Sequence, residues 1–104
     1  MEDEKFKLFE NWYLKRKTEW IKKGIFVESS MLVLDEWRHQ YWIKIYSQNG
    51  LGNIILYESN HYYWVDFEAG NVICDRIFCK GNIPFDNENS IVFYEKELIE
   101  YMII

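Results

Sequence analysis

Residues 41–70 read YWIKIYSQNGLGNIILYESNHYYWVDFEAG. The stretch alternates as a sheet does, and both faces of that sheet carry large side chains. Side chains alternate along a strand, so Tyr63, Val65 and Phe67 point to one side. Tyr62, Trp64, Asp66 and Glu68 point to the other. The first set reads as a core face. The second is aromatic and acidic, and a domain this small can hardly cover it, so it reads as a binding surface and not as a catalytic centre. With Trp42 beside them, Tyr62, Trp64, Asp66 and Glu68 are the candidate contact residues, an aromatic centre ringed by acids.

Working outward, 41–46 and 53–58 are expected strands, rich in aromatic and β-branched residues. Gln48-Asn49-Gly50 turns between them. Ser59-Asn60-His61 turns into 62–68, and Ala69-Gly70-Asn71 turns into a last strand at 72–78. Upstream, 25–27 and 31–34 are short apolar runs flanking Glu28-Ser29-Ser30, and at least one is expected to be a strand. Residues 35–40 read as a loop anchored by Trp37. Residues 80–89, with Pro84, read as another.

Helices flank this meander. Residues 2–23 place Phe6, Phe9, Tyr13 and Trp20 on one face at helical spacing, with Trp12 and Ile21 on its flanks. Acids open this helix, Lys22 and Lys23 close it, and Gly24 supplies the stop. A basic amphipathic helix can also lie on membranes or fit a calmodulin-like groove, but the acidic start and the strands behind it favour core packing. For 90–104 the sequence allows a strand at Ile91-Val92-Phe93-Tyr94. Ile91, Tyr94, Leu98 and Tyr101 share a helical face, however, with Asn89 or Ser90 as cap, and a helix is favoured. The expectation is a single α+β domain over 1–104. It has an N-terminal helix, a four-stranded antiparallel β-meander and a C-terminal helix, with both helices on one sheet face.

Composition narrows the function classes. Hydrophobic residues make up 49% of 104 positions, enough for a core without disulfides, and aromatics at 19% suit cores and interfaces alike. The net charge of −5 is unevenly placed: residues 25–104 hold five Lys/Arg against twelve Asp/Glu, a balance of −7. Such a body repels phosphate backbones and attracts a basic partner. The opening MEDEKFK has no apolar signal region and no run approaches membrane-spanning length, so the expectation is a cytoplasmic protein with no membrane or nucleic-acid partner. Cys74 and Cys79 lack a second pair for zinc and are expected to be reduced thiols filling the core.

Motifs for chemistry are absent. His39 and His61 are expected at surface or turn positions, outside any metal-ligand or acid–base spacing. Asp66 and Glu68 share a strand face, yet lack the cleft of a glycosidase or the further oxygens of a calcium loop. Gly50-Leu51-Gly52 lacks a third glycine, and Ser29, Ser30 and Ser59 lack a histidine partner pattern. No cofactor is expected. A small enzyme using His61 with Asp66 or Glu68 is the outlying alternative.

The order of features resembles a known group. FENWYLKRKTEWIKKG in a helix, then YWIKIYS, GNIILYES and YYWVDFEAGN in strands, then a short acidic helix, resemble the small immunity proteins of bacterial toxin–immunity systems. The likeness is to the TriTu-type family, and the chain is also similar to contact-dependent inhibition immunity proteins. The resemblance implies a non-enzymatic inhibitor, a monomer in a 1:1 complex with a cognate toxin C-terminal domain, whose active site or substrate path it blocks. Many such toxins are nucleases with basic surfaces, which an acidic inhibitor matches in charge. A phage- or plasmid-encoded inhibitor of another host protein would share this composition.

Overall fold

A computed structural model describes residues 4–73 and 76–103. The order is α1 (Glu4–Lys22), β1 (Phe26–Leu34), β2 (His39–Ser47), β3 (Gly50–Ser59), β4 (Tyr62–Asn71), β5 (Arg76–Pro84), a 3-10 turn (Glu88–Ser90) and α2 (Val92–Met102). Among the described residues the sheet has five strands in sequence order, every neighbouring pair antiparallel. The α+β class and the two terminal helices are as expected. The four-stranded count is not: the sheet has five strands, and the runs at 25–27 and 31–34, of which at least one was expected to be a strand, fall in the single strand β1.

The turns fix the register. A two-residue loop at Gln48-Asn49 sets Ser47 opposite Gly50, and each β2 residue then meets its β3 partner without a slip. Gly50 carries no Cβ because one would sit 2.6 Å from the Gly70 carbonyl oxygen. Asn60 and His61 form the next two-residue turn with φ of 51° and 65°, the doubly left-handed pattern that matches strand twist. β1 absorbs the polar Glu28-Ser29-Ser30 run through a bulge between Val27 and Ser29. β5 extends through part of the expected loop to Pro84, with a bulge opposite Asp66. An edge strand tolerates that proline because its missing N–H breaks no ladder bond.

α1 ends on Gly24 at φ 83°. The Ile25 amide donates to the Trp20 carbonyl at 2.9 Å and the Gly24 amide to Ile21 at 3.1 Å, the paired closure of a glycine-terminated helix. α2 is preceded by a capping box in which the Asn87 side chain accepts from the backbone. The first residue of that box lies two positions upstream of the expected Asn89 cap.

One sheet face is the core. Tyr41, Ile43 and Ile45 of β2, Ile54 and Leu56 of β3, and Tyr63, Val65 and Phe67 of β4 are buried together. The register puts these residues on a single side of the sheet. α1 contributes Phe6, Phe9, Tyr13 and Trp20, the expected face. It also contributes Trp12, which was expected on a flank, whereas Ile21 is half exposed. Phe9 makes edge-on contacts with Tyr41 and Phe85. α2 covers the β4 side with Leu98, Ile99 and Met102. Arg16 Nε meets Glu95 Oε1 at 2.5 Å and joins the helices, with the Glu95 side chain 6% exposed. Both helices therefore lie on this face, as the register of Tyr41 against Phe9 and of Phe67 against Tyr94 requires.

Candidate functional site: the open face of the sheet

Register assembles the opposite face in rows. Met31, Trp42, Ile55 and Asp66 are successive neighbours across four strands. Val33, Gln40, Tyr57, Trp64 and Pro84 form the next row. Ser29, Lys44, Asn53, Glu68 and Cys79 form another on the opposite side of the first. Neither helix lies over these residues, because their alternate neighbours take the helices.

The centre is a stack. The Trp64 ring lies 5.4 Å from Tyr57 at an interplanar angle of 12°, and 5.6 Å from Tyr62 at 24°. Tyr57 is the directly opposite residue on β3, while Tyr62 is two positions back on β4. Three rings thus form a rigid plate with few rotatable bonds to freeze on binding. The acids sit alongside. Asp66 and Glu68 follow Trp64 on the same side of β4, and their charges register on the plate: burial first, then Asp66 and Glu68, push the Tyr57 phenol above its ordinary value.

All five sequence-derived site residues, Trp42, Tyr62, Trp64, Asp66 and Glu68, fall on this face. They are not an evenly acid-ringed cluster. Trp42 lies two strands from Asp66, roughly 10 Å away, and the Lys44 ammonium sits 5.4 Å from its ring centre. Asp66 is partly committed, since its Oδ1 accepts the Asn82 amide at 2.8 Å. Glu68 is exposed, with a long 3.4 Å contact to Asn53. Tyr57, Lys44 and Ile55 belong to the surface and escape a strand-by-strand reading; the two-residue turn at 48–49 would have revealed them through register.

A second feature lies at one end of the sheet. An open cleft of about 660 Å³ is bounded by Phe6, Leu34 and Trp37 and by the polar residues Glu36, His39, Glu58 and His61. His39 and Glu58 oppose each other across β2 and β3, with Nδ1 and Oε1 2.5 Å apart, and the His61 amide donates to the other Glu58 oxygen at 2.8 Å. These bonds, the His39 contact foremost, hold the Glu58 carboxyl below its usual range. Asp35 shapes the adjoining turn by accepting the Trp37 and Arg38 amides.

Both histidines are exposed, as expected. The His61 and Asp66 or Glu68 pairing considered from sequence is not assembled: His61 lies at the turn and Asp66 five residues along the strand, roughly 15 Å away. Cys79, expected in the core, is exposed on edge strand β5; Cys74 lies outside the described residues. Glu95 of α2 is buried against Arg16. Among the described residues no three His, Cys, Asp or Glu side chains gather as a metal site, and no helix is long and apolar enough to cross a membrane.

Fold and surface together define an α+β protein with a one-sided sheet, its helix-free face carrying an aromatic plate and two carboxylates. The chain matches no protein-family model, no curated protein and no solved structure.

Proposed function

We propose that this chain is an immunity-type inhibitor that binds and neutralises a cognate bacterial toxin domain, one with a basic, nuclease-like surface. It acts in the cytoplasm of the producing cell, without cofactor or catalysis, one inhibitor chain per toxin. The observation that carries the reading is the plate Tyr62–Trp64–Tyr57 beside Asp66 and Glu68 on the uncovered face. Stacked aromatics supply desolvated contact area, and the neighbouring carboxylates meet Lys or Arg of the partner. The balance of −7 over residues 25–104 steers a basic partner toward the domain. The resemblance to immunity proteins, carried by GNIILYES and YYWVDFEAGN, points the same way.

The test starts from the neighbouring gene, whose product's C-terminal domain is expressed with and without this chain. The reading expects toxicity relieved by the parent, with association slowing as salt rises. Trp64→Ala should weaken binding by about 2 kcal/mol or more, and Glu68→Lys should lower the on-rate. A folded Trp64→Ala, Glu68→Lys variant that binds and protects like the parent moves the contact surface elsewhere. A gene neighbourhood without a toxin favours the second reading, an inhibitor of another host protein working through the same face.

A further inference from the structure

Gly70 is a glycine the fold does not ask for. It lies inside β4 without a positive φ, and a Cβ added there meets nothing within 4 Å. Glycine weakens a strand, and where neither a turn nor crowding explains it, it marks a place that another molecule approaches closely. Register sets Leu51 on one side of it and Ile77 on the other. They wall a hollow of about 290 Å³ whose floor includes Gly70 and whose rim carries Asn53 and Glu68. Leu51 is 69% and Ile77 83% exposed. Tyr46 and Phe26, with ring centres 5.6 Å apart, continue this row across β2 and β1. Gly70 is six residues from Trp64, roughly 20 Å along β4, so the hollow is separate from the aromatic plate.

We infer that this hollow is a second contact centre of the open face and takes one lysine or arginine side chain of the partner. The aliphatic stem of such a residue lies between Leu51 and Ile77 over the bare Gly70 backbone, and its charged head reaches Glu68. Glu68 selects the cation. It is the charged residue of the lining, it is exposed, and its contact with Asn53 is a long 3.4 Å, so the carboxylate is open to a stronger donor. An apolar side chain seated there would strip water from that carboxylate and give it no partner. An anion would be repelled. Lys44, the cation of the same row, lies two strands from Glu68, over the Trp42 ring, and does not fill the hollow. The identity of the partner rests on the inhibitor reading; the preference of the hollow for a cation does not.

Amide NMR titration tests that preference with small probes. N-acetyl-lysine amide and N-acetyl-arginine amide should each give saturable shifts at Leu51, Glu68, Gly70 and Ile77, with millimolar affinity. N-acetyl-norleucine amide, which keeps a stem without the charge, should bind about tenfold more weakly. Glu68→Gln should bring both cations down to that level. Gly70→Val should abolish the shifts at the other three amides and melt no lower than the parent, because its side chain enters open space on a strand. No saturable shift from either cation, or norleucine amide binding as well as the cations, overturns the inference. So do cation shifts that survive Gly70→Val. Against the toxin domain of the neighbouring gene, Gly70→Val should lose about tenfold or more in affinity. A toxin released by Trp64→Ala but fully held by Gly70→Val keeps the inhibitor reading and sinks the hollow. A parent that binds no toxin, yet takes the cations through Gly70 and Glu68, sinks the inhibitor reading and keeps the hollow.

Discussion

Asp66 on β4 is tied to Asn82 on β5 by a carboxylate that accepts a backbone amide at 2.8 Å. Asp66 and Glu68, alike in sequence, are therefore unlike in role. Asp66 holds the bulge of the edge strand, and Glu68, two residues on, faces solvent. Asp66→Ala should cost about 1.5–3 kcal/mol in a denaturant melt, the worth of a hydrogen bond to a charged group. Glu68→Ala should stay within about 0.5 kcal/mol. Equal losses would show that the Asn82 tie carries nothing, and a binding test by charge reversal is cleaner at Glu68.

The Arg16–Glu95 pair joins the two helices over a sequence separation of 79 residues. Removing one member of a covered ion pair strands the other. Glu95→Ala should cost about 2–4 kcal/mol, tempered because Arg16 keeps some contact with water. Urea titration of Glu95→Ala and of the double variant Glu95→Ala, Arg16→Met checks it. The double variant should recover part of the loss, and one additive with no recovery would rule out the coupling.

Trp12 and Trp20 are buried with indole N–H groups that find no acceptor among the described residues. Trp20→Ala should cost about 3–5 kcal/mol through the cavity it opens, a large share of a typical 5–15 kcal/mol. Trp20→Phe should cost clearly less, because it removes an unsatisfied donor along with part of the ring. Thermal melts of the two variants give the order; Trp20→Phe as damaging as Trp20→Ala would mean the indole N–H is satisfied after all.

Glu58 has its carboxyl lowered by His39 and by the His61 amide. A carboxyl whose folded value lies below its unfolded one contributes stability above the unfolded value, near 4.5. That contribution is lost as pH falls through the lower folded value. Stability against pH should therefore fall more steeply below about pH 4.5 in the parent than in Glu58→Gln. Superimposable acid limbs would remove Glu58 from the account.

The helix α1 and the three hairpinned strands from 41 to 70 were legible because periodicity and turn residues agreed there. β1 was half legible: the apolar runs 25–27 and 31–34 pointed to at least one strand, but Glu28-Ser29-Ser30 reads as a polar break until a bulge lifts Glu28 out of the pairing and joins the two runs. β5 was cut short for a similar reason: Lys80, Gly81 and Pro84 signal a loop, yet they are what a sheet edge permits. Trp12 was misplaced because single-face periodicity ignores a second layer: α2 meets α1 through Arg16 and Glu95, one turn along the side of α1 that carries Trp12. The binding face was half legible. Alternation named the β4 residues, but Tyr57 and Lys44 needed register.

The strictly sequential strand order has a consequence for synthesis. Each strand pairs only with the one made just before it, so the sheet can grow hairpin by hairpin as the chain leaves the ribosome, with little loop entropy at each step. α2 follows all five strands, and until it docks, the β4 half of the core face, with Phe67 and Ala69, stays wet. The nascent chain is then sticky on both faces. A ribosome-stalled chain ending before residue 92 should recruit chaperones that one carrying α2 does not.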